Sequence, residues 1–240
     1  MKGGEIVDTT FTIERIRSQE EIASLVHVRK PHKEVEKEIL DMFVSSGALL
    51  KGHFGLESGQ HSRFLTRFAD IAGNRKYVDK IADRVIGELR DDKVIIDAIL
   101  TQEYGGRVLA QRIASKLDKR IVLVETDEQN RPTESLINET TLYRCDRVLI
   151  VSDIATTGYG LRTMVAAARK RGALPVAIAI FATRNKEEMS RFEHEEGLKV
   201  YALADLAFEK ETYGTPHKEA NEKECEICRE GNPAIPSWQI

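Results

Sequence analysis

The chain is poor in cysteine, balanced in charge and free of long apolar runs. Three cysteines in 240 residues, an odd number, do not make a secreted disulfide framework. No run approaches the ~20 apolar residues of a membrane-spanning helix. The opening Met1-Lys2-Gly3-Gly4-Glu5 lacks the apolar stretch of a signal peptide. With 36 Lys and Arg against 39 Asp and Glu, the formal net charge is −3, whereas a general nucleic-acid binder would be clearly basic. The expectation is a soluble, reducing, cytoplasmic protein with neither nucleic acid nor membrane as its partner.

Strand and helix signals alternate along most of the sequence. Residues 33–44 carry Val35, Ile39, Met42 and Phe43 at helical spacing, and residues 77–89 do the same with Val78, Ile81, Ala82, Val85 and Leu89. Residues 48–69, mixed and glycine-containing, read as a hairpin. Strands are expected at 94–100, 121–125, 148–151, 174–182 and 198–203. Helices are expected at 106–117, 161–171 and within 184–197. Before these, residues 6–13 suggest a strand, and Ser18-Gln-Glu-Glu21 is a capping box for a helix to about Val28. Such alternation implies a parallel sheet with helices on both faces, whose ligands bind beyond the carboxyl ends of the strands.

The densest signal is residues 147–164. Four apolar residues, 148–151, lead into Ser152 and Asp153, then into the small-residue loop Ala155-Thr-Thr-Gly-Tyr-Gly160, then a helix. A strand–loop–helix junction aims backbone N–H groups and a helix N-terminus at one spot, which suits a phosphate. Asp153 would repel a phosphate and must therefore serve sugar hydroxyls or a metal. The combination points to a phosphorylated ribose.

This junction resembles the phosphoribosyl-diphosphate (PRPP) signature of type I phosphoribosyltransferases. The resemblance implies that Asp153 holds the ribose hydroxyls and that Ala155, Thr156, Thr157, Gly158, Tyr159 and Gly160 take the 5′-phosphate. Ser152 stands in place of a first acid. Thr101-Gln-Glu-Tyr-Gly-Gly106 resembles the family's pyrophosphate loop, which assigns Tyr104, Gly105 and Gly106 to PRPP. Residues 52–62 resemble the hood hairpin of orotate phosphoribosyltransferases, which places Ser58, Phe64 and Leu65 near the base, with Glu57 where many members carry lysine. Arg184 matches an arginine that anchors the base. In residues 126–135, where the family has a mobile loop bearing Lys and His, only Arg131 is cationic, so Arg131 is the candidate catalytic cation beside Asp153. The Cys225-x-x-Cys228 tail resembles that of one orotate phosphoribosyltransferase subgroup. A single Cys-x-x-Cys is half a zinc site. Cys145 and His217 are candidate partners, but two packed thiols are expected and no metal ligand is assigned. His27, His32 and His194 are expected to be solvated.

The implied fold is α/β, a doubly wound parallel sheet (type I phosphoribosyltransferase fold) with a small N-terminal hood. Its expected divisions are an extension at 1–32, a helix and hood hairpin at 33–75, a PRPP-binding core at 76–210 and a tail at 211–240. The implied reaction joins orotate and PRPP to give orotidine 5′-monophosphate and pyrophosphate, with Mg2+, in a homodimer. The rivals are transfer to a different, purine-type base and a catalytically weak PRPP- or nucleotide-binding regulator.

Overall fold

The structure, a computed structural model, describes residues 13–29, 33–56, 58–103, 105–128, 130–137, 141–215, 218, 220 and 223–240. In chain order the elements are β1 (Glu14–Arg15), α1 (Gln19–Leu25), β2 (Val26–Val28), α2 (Lys33–Ser46), β3 (Leu49–Gly55), β4 (His61–Thr66), α3 (Phe68–Ala72), α4 (Arg75–Asp91), β5 (Ala98–Gln102), α5 (Arg107–Leu117), β6 (Arg120–Thr126) and β7 (Pro132–Leu136). They continue with β8 (Arg147–Val151), β9 (Ile154–Ala155), α6 (Tyr159–Lys170), β10 (Leu174–Thr183), α7 (Lys186–Glu196), β11 (Val200–Leu206), β12 (Thr212–Tyr213), α8 (Glu226–Arg229) and β13 (Ile235–Pro236).

The main sheet runs β2-β11-β10-β8-β5-β6-β7. Its five central strands are parallel, and β2 and β7 close the edges antiparallel. Strand β8 is the clearest case of sequence dictating place. Val148, Leu149, Ile150 and Val151 are all fully buried, and the period of two sends them to opposite faces. Leu149 and Val151 join the core under α2, α4 and α5, while Val148 and Ile150 join the core under α6 and α7. At its base, Arg147 grips Asp97 with Nε and Nη2, each at 2.7 Å, and this guanidinium holds the Asp97 carboxyl well below the usual range.

The hood is a second sheet, β1-β3-β4-β12, with β13 added parallel to β3. Its small core is Leu50, Phe54, Leu56 and Leu65.

Of the strand expected at 6–13, residues 6–12 lie outside the described residues and Ile13 is in no strand. The helix capped by Ser18 ends at Leu25, because Val26–Val28 pairs with β11 and completes the main sheet. Within the polar segment after residue 126, Pro132–Leu136 folds back as β7 on β6. The extension at 13–28 thus belongs to both sheets, with Glu14 and Arg15 pairing the hood strand β3.

Candidate active site

Two neighbouring parallel strands, β5 and β8, lead to helices on opposite faces: α5 crosses to β6 on one side, and α6 crosses to β10 on the other. The switch point therefore lies between the carboxyl ends of β5 and β8, where open α/β sheets bind ligands. A cavity of about 900 Å³ opens there, roofed by the hood and tail.

From β8 the chain passes Ser152 and Asp153 and reaches Gly158, whose φ of +72° caps α6. Gly158 has no side chain to cap that helix, Thr157 Oγ1 accepts from the Tyr159 N–H at 3.4 Å, and the helix N-terminus faces the cavity. Asp153, Ala155, Thr156, Thr157, Gly158, Tyr159 and Gly160 all line the cavity. Asp153 is half-buried. Burial raises its carboxyl pKa, opposed by backbone N–H groups and by the Ser152 hydroxyl, 3.4 Å from Oδ1. Gly158 owes its identity to packing as much as to the loop: a Cβ there would lie 3.0 Å from Met189 Cε and 3.2 Å from Phe192 Cδ2.

From β5, Gln102 and Glu103 reach the same cavity, followed by Gly105 at φ +75° and by Arg107 at the start of α5. Gly106 does not line it. A Cβ at Gly106 would collide with the Ser152 backbone, so glycine there allows α5 to pack closely on the end of β8. Tyr104 and Glu57 lie outside the described residues.

Arg184 directly follows β10 and lines the cavity, as does Ser58. Arg184 Nη2 donates to Ser62 Oγ at 2.7 Å and to the Phe64 carbonyl at 3.0 Å, so it also ties core to hood. Phe64 is not on the cavity wall. Its ring is buried against Phe208, 5.4 Å between centroids, and Leu65 and Thr66 face the cavity instead. Arg131 does line the cavity, but in a tight turn where Asp127 takes its backbone N–H at 2.9 Å and its Nε at 2.8 Å.

The sequence reading missed three cations on this wall: Arg67, Arg107 and Lys218. Arg107 directly follows the glycine pair, and its helix-start position was a usable signal. Arg67 and Lys218 arrive from hood and tail, and nothing local marks them.

The tail also departs from expectation. Cys225 and Cys228 are not simply two packed thiols: the ligand atoms of His53, His61, Cys225 and Cys228 lie within 4.8 Å of one another. Cys145 is elsewhere and exposed, and His217 and His32 lie outside the described residues. His27 and His194 are exposed, as expected.

Comparison with known proteins agrees with this geometry. A family model described as Phosphoribosyl transferase domain matches residues 70–202. An orotate phosphoribosyltransferase of Thermus thermophilus is 31% identical over 196 residues, 82% of this chain and 97% of that protein. The crystal structure of orotate phosphoribosyltransferase from Aeropyrum pernix aligns with a TM-score of 0.58 at 22% identity, covering 69% of this chain and 92% of the other. That from Mycobacterium tuberculosis, in complex with inorganic phosphate, aligns at 0.55 and 21%, covering 72% and 95%. The β8–α6 junction lies inside the matched span, and a relative is spanned almost end to end: the chain belongs to the phosphoribosyltransferase family.

Proposed function

We propose that the cavity binds PRPP and transfers its phosphoribosyl group to orotate, releasing pyrophosphate and forming orotidine 5′-monophosphate, a step of pyrimidine nucleotide biosynthesis. One observation carries this reading: two helix N-termini, of α5 and α6, open on one cavity with the Asp153 carboxylate between them. PRPP has the matching form, a diol-bearing sugar between two anionic ends. The α6 loop, residues 155–160, takes the 5′-phosphate, and Asp153 accepts from the ribose hydroxyls. Gly105 and Arg107 meet the diphosphate, whose charge grows as the C1′–O bond breaks. Arg184 and Ser58 orient the base, whose ring nitrogen forms the new bond to C1′.

The carboxylates of Asp153 and Glu103 on the wall are oxygen donors of the kind a hard divalent cation takes, so the site fits Mg2+. When bound, the ion neutralises charge on the diphosphate. The assembly in this proposal is a homodimer, as the family resemblance implies.

The test is consumption of orotate with PRPP and Mg2+. Formation of orotidine 5′-monophosphate is expected, at a kcat below the typical ~10 s⁻¹ because Arg131 is the lone cation of its loop and is paired to Asp127. Consumption of a purine base instead of orotate would reassign the substrate, and PRPP binding with no base consumed would mark a regulator.

A further inference from the structure

We infer that His53, His61, Cys225 and Cys228 form a structural zinc site that clamps the C-terminal tail to the hood.

The four residues come from two segments far apart in sequence. His61 opposes Gly55 across the hairpin, and His53, two residues before Gly55, packs edge-on against His61 with 4.9 Å between ring centroids. The tail supplies Cys225, at the start of the four-residue helix α8, and Cys228 within it. His53 and Cys225 are fully buried and His61 is 9% exposed.

The geometry matches the metal. A tetrahedral zinc with Zn–N of about 2.0 Å and Zn–S of about 2.3 Å sets ligand edges of about 3.3 Å for N···N and about 3.5 Å for N···S. Here His53 Nε2 lies 3.1 Å from His61 Nδ1, 3.4 Å from Cys225 Sγ and 3.8 Å from Cys228 Sγ. His61 Nδ1 lies 3.2 Å from Cys228 Sγ. The tautomer is also fixed: His53 Nδ1 faces the Asn232 carbonyl at 2.8 Å and donates to it, which leaves Nε2 as the lone pair aimed inward. Such an outer hydrogen bond is how a zinc-bound histidine is held. An N2S2 set with two thiolates selects zinc over hard cations.

The tail needs such a clamp. Its helix has four residues, its strand β13 two, and a segment this short seldom holds itself. Yet it places Lys218 and Ser237 on the cavity wall opposite the core loops. The metal would thus act on activity only by holding the roof in place.

The test uses the full native chain under reducing conditions. Elemental analysis should give one zinc per chain, and replacement by Co2+ should give the intense visible and thiolate charge-transfer bands of tetrahedral thiolate ligation. C228S should lower zinc content to about a tenth or less, and chelation should lower Tm. Should C228S fail to fold, the Co2+ spectrum of the unsubstituted chain decides. Folded, reduced protein with no bound zinc, no Co2+ thiolate band and no response of Tm to chelator would overturn the proposal. A Cys225–Cys228 disulfide in freshly prepared protein would do so too. None of these readouts depends on which base is used.

Discussion

Arg184 Nη2 donates to Ser62 Oγ across 2.7 Å, joining the end of β10 to the hood strand β4. The guanidinium also lies over the Phe208 ring, 5.0 Å from its centroid, so it is fixed in direction before any base arrives. A charged hydrogen bond is worth on the order of 2 kcal/mol. R184A should therefore weaken orotate binding roughly 30-fold while PRPP binding changes little, because the sugar and phosphate loops leave other strands. Calorimetry with each ligand checks this, and equal loss for both would remove Arg184 from the base site.

Gly158 makes a prediction about stability before any about binding. Its φ of +72° is disfavoured for residues with a Cβ, and that Cβ would press on Met189 and Phe192 of α7. G158A should lose about 1–2 kcal/mol, a fall in Tm of about 3–6 °C for a chain this size. G158V should lose more, since a β-branched residue resists this region further. An unchanged Tm for G158A would mean the left-handed cap is wrong.

Arg107 and Arg131 separate two sources of positive charge for the leaving diphosphate. Arg131 is paired to Asp127 at 2.8 Å, whereas Arg107 has no ion pair among the described residues. R107A is expected to lower kcat/KM for PRPP by about 30- to 1,000-fold, or ~2–4 kcal/mol. R131A should do much less. Steady-state kinetics at saturating base compares them, and a larger loss in R131A would show that Asp127 releases its arginine during turnover.

Local signals revealed most of the fold and about half the cavity wall. The β8–α6 junction was legible because strand, acid, loop and helix are contiguous, so each residue's neighbours in space are its neighbours in sequence. Gly106 packs α5 against the end of β8, and in sequence such a glycine looks the same as one that faces a ligand. Phe64 and Leu65 were not separated because the pleat sends adjacent residues to opposite faces, and only the register decides which faces the cavity. Of the His53–His61–Cys225–Cys228 cluster, the Cys-x-x-Cys half is legible in the sequence, while its histidine partners are not, for a similar reason. The cluster needs the hairpin register and the return of a tail more than 160 residues later. Arg67 and Lys218 depend on how hood and tail sit over the core.

Asp153 lies on the cavity wall with the N-termini of α5 and α6, which the proposed function makes the two anion sites of PRPP. Asn keeps its shape and removes a charge that burial already disfavours, so D153N should fold with Tm unchanged or raised. Calorimetric titration of PRPP with Mg2+ into both proteins is the direct measurement. One PRPP per chain is expected for the native protein, and at least ~10-fold weaker binding, ~1.4 kcal/mol, for D153N. Equal affinity in the two proteins, or no PRPP binding to the native one, would contradict the proposed function.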